Sequence, residues 1–402
     1  MEILFVSHKY PPAIGGIEKY SFELINGMRK YAKVHAIVYE GKESLPVFFL
    51  KLRKRILKCI AENPAIGLVH FGDGLMASVC SFHRGYKHLR RTATLHGLDV
   101  VFPSKLYHRY ILPRFNCYDH LFAVSAATAE KAVAFGLDRS RVSVIANGVD
   151  RNMAFHTRAS RKEVEQWLAQ KEDGIRVGNR RIFVLMGRPV LRKGFSWLIR
   201  HVGPHLGEDA ILLIVGPFSK RKTLLEKVLY AIPKKWRHKL VLFLGFPSDS
   251  QHIREILADS SLGAQVRHVG KLPQDRIQQL LAVSDAFLMP NIAIEGDMEG
   301  FGLVCLEASV MGTVVLAADI DGIPDAIRHG RNGFLLPSGD AAAWVEQVNH
   351  IIADTSLYDP YRKSFQRYTL NHCGWDLMVK AYHKVFRALV ENNCRTAYGE
   401  KS

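Results

Sequence analysis

The sequence predicts an α/β protein built from two Rossmann-like domains with parallel sheets. Three observations carry that reading. Short apolar runs recur along the chain, and each run is continuous rather than alternating in polarity. Loops or stretches of helical periodicity separate them. Continuous runs are what strands covered on both faces require, which makes the sheets parallel. At 402 residues there is enough chain for two domains, each with its own core. With 23% charged and 10% aromatic residues, disorder, collagen and coiled coil are poor descriptions.

Taken in order, EILFVS (2–7) reads as the first strand and HKYPPAIGG as its loop. IEKYSFELINGMRKY follows as a helix, with Ile17, Tyr20, Phe22, Leu24, Ile25 and Met28 at helical spacing. Strand, glycine-bearing loop and helix is how a nucleotide-binding α/β domain begins. Further strands are predicted at 34–40, 67–71, 92–96, 120–125 and 142–148. A polar stretch at 150–178 interrupts the rhythm, which restarts at 181–187 and continues at 211–216, 241–245, 266–270, 286–290, 313–318 and 333–337. This places an N-terminal domain at 1–170 and a C-terminal one at 178–374. In the closing segment Trp375, Met378, Val379, Tyr382, Val385, Phe386 and Leu389 share one stripe, as a packing helix over 375–402 would need.

The chain carries 55 Lys and Arg against 38 Asp and Glu, a formal charge of +17, so its partners are expected to be anionic. Residues 1–170 hold 25 basic and 14 acidic side chains, which concentrates the charge in the first half. No apolar run reaches the roughly 18 residues a membrane span needs, and no basic leader precedes Ile3 to Val6. The six cysteines are scattered without a C-x-x-C pair, which fits a reducing cytoplasm. No RNA- or DNA-binding motif is present, so no nucleic-acid partner is expected. In FFLKLRKRILKCI (48–60), Lys51, Arg53, Lys54, Arg55 and Lys58 make a basic face opposite Phe48, Phe49, Leu52, Ile56, Leu57 and Ile60. Two readings stand: a helix lying on an anionic membrane, and an ordinary Rossmann helix with a basic outer face.

Four further segments can carry chemistry. Gly15-Gly16 lies between the first strand and its helix, where paired glycines let backbone approach a phosphate at a helix N-terminus, although a tight turn alone would also explain them. GRPVLRKG (187–194) follows a strand in the same way. Its Gly187, Arg188 and Lys193 suit a diphosphate, unless the run, with Arg192 in it, is a solvated basic loop. EGDMEGFGLVCLEASVMG (295–312) holds Glu299 and Glu307 eight residues apart, too far to meet as two positions of one helix. Gly300 and Gly302 point instead to a loop carrying Glu299 and a helix starting near Phe301 to Leu303. Glu299 then faces the helix N-terminus and Glu307 reaches it from within, as a sugar-nucleotide needs, unless the two carboxylates only complement the helix dipole and solvent. His96, at the end of a strand and before Gly97, is the fourth, with a structural histidine as the alternative.

These motifs, together with FAVSAAT (122–128), IANGVD (145–150) and DGIPDAIRHGRNGFLLP (321–337), fall in an order that resembles the retaining GT-B glycosyltransferases of family 4 over nearly the whole chain. The resemblance implies two Rossmann-like domains facing across a cleft, with the last helix returning to the first domain. It implies that Arg188 and Lys193 hold the donor diphosphate and that Glu299 binds the sugar hydroxyls and Glu307 the ribose. His96 would sit by the transferred sugar, and backbone at Gly16 and at Gly300, Phe301, Gly302 and Leu303 would line the donor site. It further implies a UDP- or GDP-linked hexose donor, no cofactor and no metal, with no D-x-D in a loop suited to one, and a lipid-linked or oligosaccharide acceptor in cell-surface polysaccharide or lipopolysaccharide synthesis. A place in the cytoplasm, peripheral to the inner face of the plasma membrane, goes with that role. A GT-B-shaped epimerase or phosphorylase is the alternative, since fold does not fix function. Two departures from the pattern stand out: Gly312-Thr313-Val314-Val315 replaces G-x-P-V, and Asp321-Gly322-Ile323-Pro324-Asp325 replaces Gly-Gly-x-Pro-Glu.

Overall fold

The computed structural model describes residues 1–156, 160–171, 174–219, 228–229, 232–233, 237, 240–242, 248–258 and 265–399. The chain divides into two units, one of residues 1–148 with 374–402 and one of residues 149–373.

The first unit contains a six-stranded sheet of β1 (Glu2–Ser7), β2 (Lys33–Val38), β3 (Ile66–Phe71), β4 (Arg90–Leu95), β5 (His120–Ala123) and β6 (Val142–Val144). Their order is β2-β1-β3-β4-β5-β6 and every pairing is parallel. The chain steps outward from β1 to β2 and then returns to the other side of β1, so the strand order reverses between β1 and β3. Open α/β sheets bind ligands at the carboxyl ends of strands flanking such a reversal.

The second unit repeats the plan with β7 (Arg181–Met186), β8 (Ala210–Val215), β9 (Val266–Gly270), β10 (Ala286–Met289), β11 (Val314–Asp319) and β12 (Phe334–Pro337). The order is β12-β11-β10-β7-β8-β9, again all parallel, with the reversal between β7 and β10. All six residues of β8 are buried, as a strand covered on both faces should be. The core beneath includes Trp344, Phe183, Phe195 and Phe287, none more than 1% exposed.

The helix Trp375–Gly399 belongs to the first unit, where it packs on the helix Gly16–Met28 and on β3 and β4. Its Tyr382 hydroxyl accepts a hydrogen bond from Tyr20 at 3.0 Å and lies 3.0 Å from Thr94 Oγ1. Gly27 makes room for it, since a Cβ there would lie 2.6 Å from Val379.

Three expectations need correction. Residues 149–170, assigned by the sequence to the first domain, belong to the second unit, and Gly374 belongs to the first. The helix Arg161–Ala169 buries Val164, Trp167 and Leu168 and packs on the helix Gln274–Val283, with Arg276 over the Trp167 ring at 5.5 Å. Polarity of the stretch concealed that apolar face. Of the strand expected at 241–245, Val241 and Leu242 are helical and the remaining residues lie outside the described ones.

The helix Leu45–Glu62 is the third. Its Phe48, Leu52 and Ile56 are at most 1% exposed inside the first unit's core, with Phe49, Leu57 and Ile60 packed against that core. The apolar stripe is therefore already covered and cannot insert into a bilayer. Arg55 and Lys51 pair with Glu43, and Lys58 lies 3.7 Å from Glu62. Because this stripe is core, Leu52→Ala is expected to cost about 2–5 kcal/mol in urea unfolding; a surface stripe would give almost no change.

Candidate functional site

The loops after β7 and β10, the strands at the second sheet's reversal, meet. After β7 the backbone turns through Gly187 and a short 3-10 turn at Leu191–Lys193 to Gly194, which adopts φ 66° and opens the helix Phe195–His201. A Cβ on Gly194 would lie 1.9 Å from the Pro290 carbonyl oxygen, so only glycine permits both the left-handed backbone and this approach. On the same side Ile292 N–H donates to Arg192 O at 2.9 Å. The β10 loop is thus pressed against the β7 loop at two adjacent points.

That contact gathers a charged cluster. Lys193 Nζ lies 2.9 Å from Glu299 Oε2, and the two side chains are 10% and 12% exposed. Arg192 bridges Glu299 at 3.5 Å and Asp297 at 3.3 Å. Asn291 Nδ2 donates to Glu299 Oε2 at 3.5 Å. The Glu299 main chain is clamped too: its N–H donates to Asp321 Oδ2 at 3.0 Å, and its carbonyl accepts from Gly322 N–H at 3.0 Å. Asp321 holds φ 56°, the single non-glycine residue with positive φ among those described. Asp and Asn enter that region more readily than other side chains, and here the carboxylate gains a backbone donor by doing so.

Burial opposes ionisation of Glu299, but the Lys193 ammonium and Arg192 guanidinium outweigh it and hold the carboxyl at about 2. Burial pushes Asp297 above the usual carboxylate range despite Arg192, and does the same to Asp321. Burial also works against the charge on Arg192, yet Glu299 and Asp297 more than offset it.

The helix Leu303–Val310 begins directly after Gly302, with no side-chain cap on its N-terminus, and Glu299 lies in the loop before it. Phe301 is buried, Gly300 and Leu303 are half-buried, and Glu307 is half-buried one turn into the helix. Arg188 stands exposed at the start of its loop and Gly187 is half-buried. By contrast, the helix Phe195–His201 has its first turn already occupied, since Asp249 accepts from Ser196 N at 3.0 Å and from Ser196 Oγ at 2.5 Å.

The sequence treated Arg192 as the mark of a solvated loop, but it is 18% exposed and doubly paired. Asn291 and Asp297 were not singled out, and Asp321 stood only as a departure from the family pattern. Asp297 had a signal in its position two residues before Glu299. Asp319-Ile320-Asp321 is also a D-x-D at the end of β11, with Asp321 committed to the Glu299 N–H. Among the described residues no three His, Cys, Asp or Glu side chains converge as a metal site.

In the first unit, β1, β3 and β4 bring another group to the carboxyl edge. His96 Nε2 lies 2.9 Å from Gly72 O, so Nε2 carries the proton that the carbonyl accepts. The His96 N–H donates to Asp99, whose Oδ2 also accepts from Gly74 N at 2.9 Å. His8 Nδ1 lies 2.9 Å from Asp73 Oδ2 across the β1/β3 reversal. Burial works against ionisation of Asp73, but His8 and the Met76 N–H outweigh it and keep the carboxyl below its ordinary value. His8, Asp73 and Asp99 were not picked out from the sequence. Gly15 and Gly16 are exposed, Gly15 caps the helix Gly16–Met28 without a side-chain bond, and the Gly15 backbone is extended.

Residues 169–371 match the family described as Glycosyl transferases group 1, and residues 14–152 match Glycosyltransferase Family 4. The chain belongs to this glycosyltransferase family. Its curated relatives include the amylovoran biosynthesis glycosyltransferase AmsK of Erwinia amylovora, 37% identical over 101 residues that make up 25% of each chain. The α-maltose-1-phosphate synthase of Mycolicibacterium smegmatis is 24% identical over 96% of this chain and 99% of its own. Among solved structures, the HepE protein of Anabaena in complex with UDP superposes with a TM-score of 0.71, at 19% identity over 96% of this chain and 100% of that one. The fold is GT-B, and the chain is a glycosyltransferase.

The lowered Glu299 pKa has a sign that can be checked. A carboxyl held at about 2 in the folded state contributes stability that is present above its ordinary value of 4.5 and is lost as pH falls toward 2. The gap amounts to about 3 kcal/mol. Wild type is therefore expected to exceed Glu299→Gln in unfolding free energy at neutral pH, and the difference should shrink by about that amount between roughly pH 5 and pH 2.

Proposed function

We propose that this glycosyltransferase moves a hexose from a nucleoside-diphosphate sugar, UDP- or GDP-linked, to a lipid-linked or glycan acceptor with retention of anomeric configuration and without a metal. The observation that carries the reading is the Lys193–Glu299 contact at 2.9 Å, beside the N-terminus of the helix Leu303–Val310 and at the carboxyl ends of β7 and β10. A diphosphate needs cations and free N–H groups, and a sugar needs carboxylate acceptors for its hydroxyls. Both sets occur here within one loop pair. That HepE was solved with UDP, and in a further structure with UDP and glucose, supports a nucleotide-sugar donor.

Donor binding exchanges partners. Lys193 leaves Glu299 for the diphosphate, with Arg188 as a second cation, while Glu299 turns its freed oxygen to a sugar hydroxyl. Arg192 and the Asp321–Gly322 clamp keep Glu299 in place through the exchange. Glu307 takes the ribose hydroxyls. In the transfer step the bond from the anomeric carbon to the phosphate oxygen breaks as the acceptor oxygen attacks from the same face. The departing phosphate oxygen takes the acceptor's proton. The cations stabilise charge that grows on the leaving diphosphate, a contribution worth about 10²–10³ in kcat for each group removed. The product is a cell-surface polysaccharide or glycoconjugate assembled in the cytoplasm at the inner face of the plasma membrane.

Thermal melting with UDP, GDP, ADP and their glucose esters tests the donor class, since a ligand at 100 times its Kd stabilises by about 2.7 kcal/mol. One nucleotide is expected to raise Tm selectively; absence of any shift overturns the donor site. Lys193→Ala, Arg188→Ala and Glu299→Ala are each expected to lower transfer by about 10²-fold or more with the fold intact. Full activity in these variants would remove the site assignment.

A further inference from the structure

We propose, resting on the donor-site reading above, that the sugar end of this site takes an uncharged hexose and turns away a uronic acid, with Asp297 and Asp321 imposing the choice. Around Glu299 the loops after β10 and β11 gather three carboxylates, Asp297, Glu299 and Asp321. The loop after β7 answers them with Arg192 and Lys193. Once Lys193 turns to the diphosphate, three carboxylates of the cluster stand against one guanidinium.

That guanidinium is already taken. Arg192 Nη1 lies 3.3 Å from Asp297 Oδ2 and Nη2 lies 3.5 Å from Glu299 Oε2, so each arm of its fork faces a carboxylate. A carboxylate on the sugar reaches Arg192 only by displacing one of them. Burial pushes the Asp297 and Asp321 carboxyls up and Glu299 adds to the rise, even with Arg192 beside them. The cluster is therefore short of positive charge before any ligand arrives, and a fourth carboxylate among these side chains meets repulsion.

A second observation points to hydroxyls. Asn291 is 1% exposed and its Nδ2 donates to Glu299 Oε2, while its Oδ1 is buried with no hydrogen-bond partner among the described residues. Buried polar atoms are seldom left in that state. A bare acceptor beside carboxylates calls for a donor. A sugar hydroxyl supplies one, whereas an ionised carboxylate has none to give. Asp321 also offers a clean way to remove charge, because asparagine enters its positive-φ conformation as readily and still carries an oxygen for the Glu299 N–H.

The test is calorimetric titration of the full chain with UDP, GDP and matched donors: UDP-glucose with UDP-glucuronate, UDP-galactose with UDP-galacturonate, and GDP-mannose with GDP-mannuronate. The ratio of Kd within a pair cancels the share of the nucleotide. In the pair whose neutral member binds most tightly, the uronate is expected to be weaker by at least about a hundredfold. Asp321→Asn and Asp297→Asn are each expected to narrow that ratio by about tenfold. The control Glu346→Gln, exposed on the helix Ala341–Ala353, should leave it as in wild type. A uronate that binds as tightly as its neutral partner, a ratio that both Asp variants leave unchanged, or equal narrowing in the control would overturn the proposal. If neither UDP nor GDP binds, the donor-site reading fails and takes this one with it; diphosphate binding without discrimination between the sugars overturns the sugar choice alone. Should the Asp variants not fold, the wild-type ratios decide.

Discussion

The second unit is organised around a cost. Holding Arg192, Lys193, Asp297, Glu299 and Asp321 together at the edge of a sheet takes five ionisable groups largely out of water, and desolvation of such charges can exceed what their attraction returns. A well-packed apolar cluster in the same volume would serve stability as well or better. The arrangement therefore makes sense as a prepared site whose internal ion pairs stand where a charged, hydroxyl-rich ligand will take over.

Preparation depends on backbone more than on the charged side chains themselves. Lys193 is placed by a 3-10 turn that ends at Gly194, and Gly194 is fixed by the Pro290 carbonyl it nearly touches. Glu299 is held at both its N–H and its carbonyl by Asp321 and Gly322, which follow a different strand, β11. Three crossovers of the parallel sheet thus converge on one ion pair. The reversal of strand order between β7 and β10 is what leaves room for their loops to meet.

Much of this was legible in the residues. Eleven of the thirteen expected strands occur within a residue or two of their apolar runs, and that expected at 142–148 ends early at Val144, because a buried parallel strand leaves an unbroken apolar signature that local chemistry alone dictates. The loop with Gly300 and Gly302 was legible as backbone that precedes a helix start. Arg192 was misread because a basic run looks the same whether solvent or carboxylates 105 residues away, as for Asp297, answer it. Asp321 looked like a departure from a glycine pattern; its bond to the Glu299 N–H shows what the departure accomplishes.

The sequence by itself determined the α/β class, the two parallel sheets and the family, since periodicity, glycine placement and motif order are properties of neighbouring residues. Only tertiary structure decided which side of the helix Leu45–Glu62 is core, where the chain passes from one unit to the other, and which carboxylates face Arg192 and Lys193. The physical reason is common to all three. Burial and charge pairing depend on contacts between residues far apart in the chain, and an amphipathic or charged segment carries no record of what will cover it.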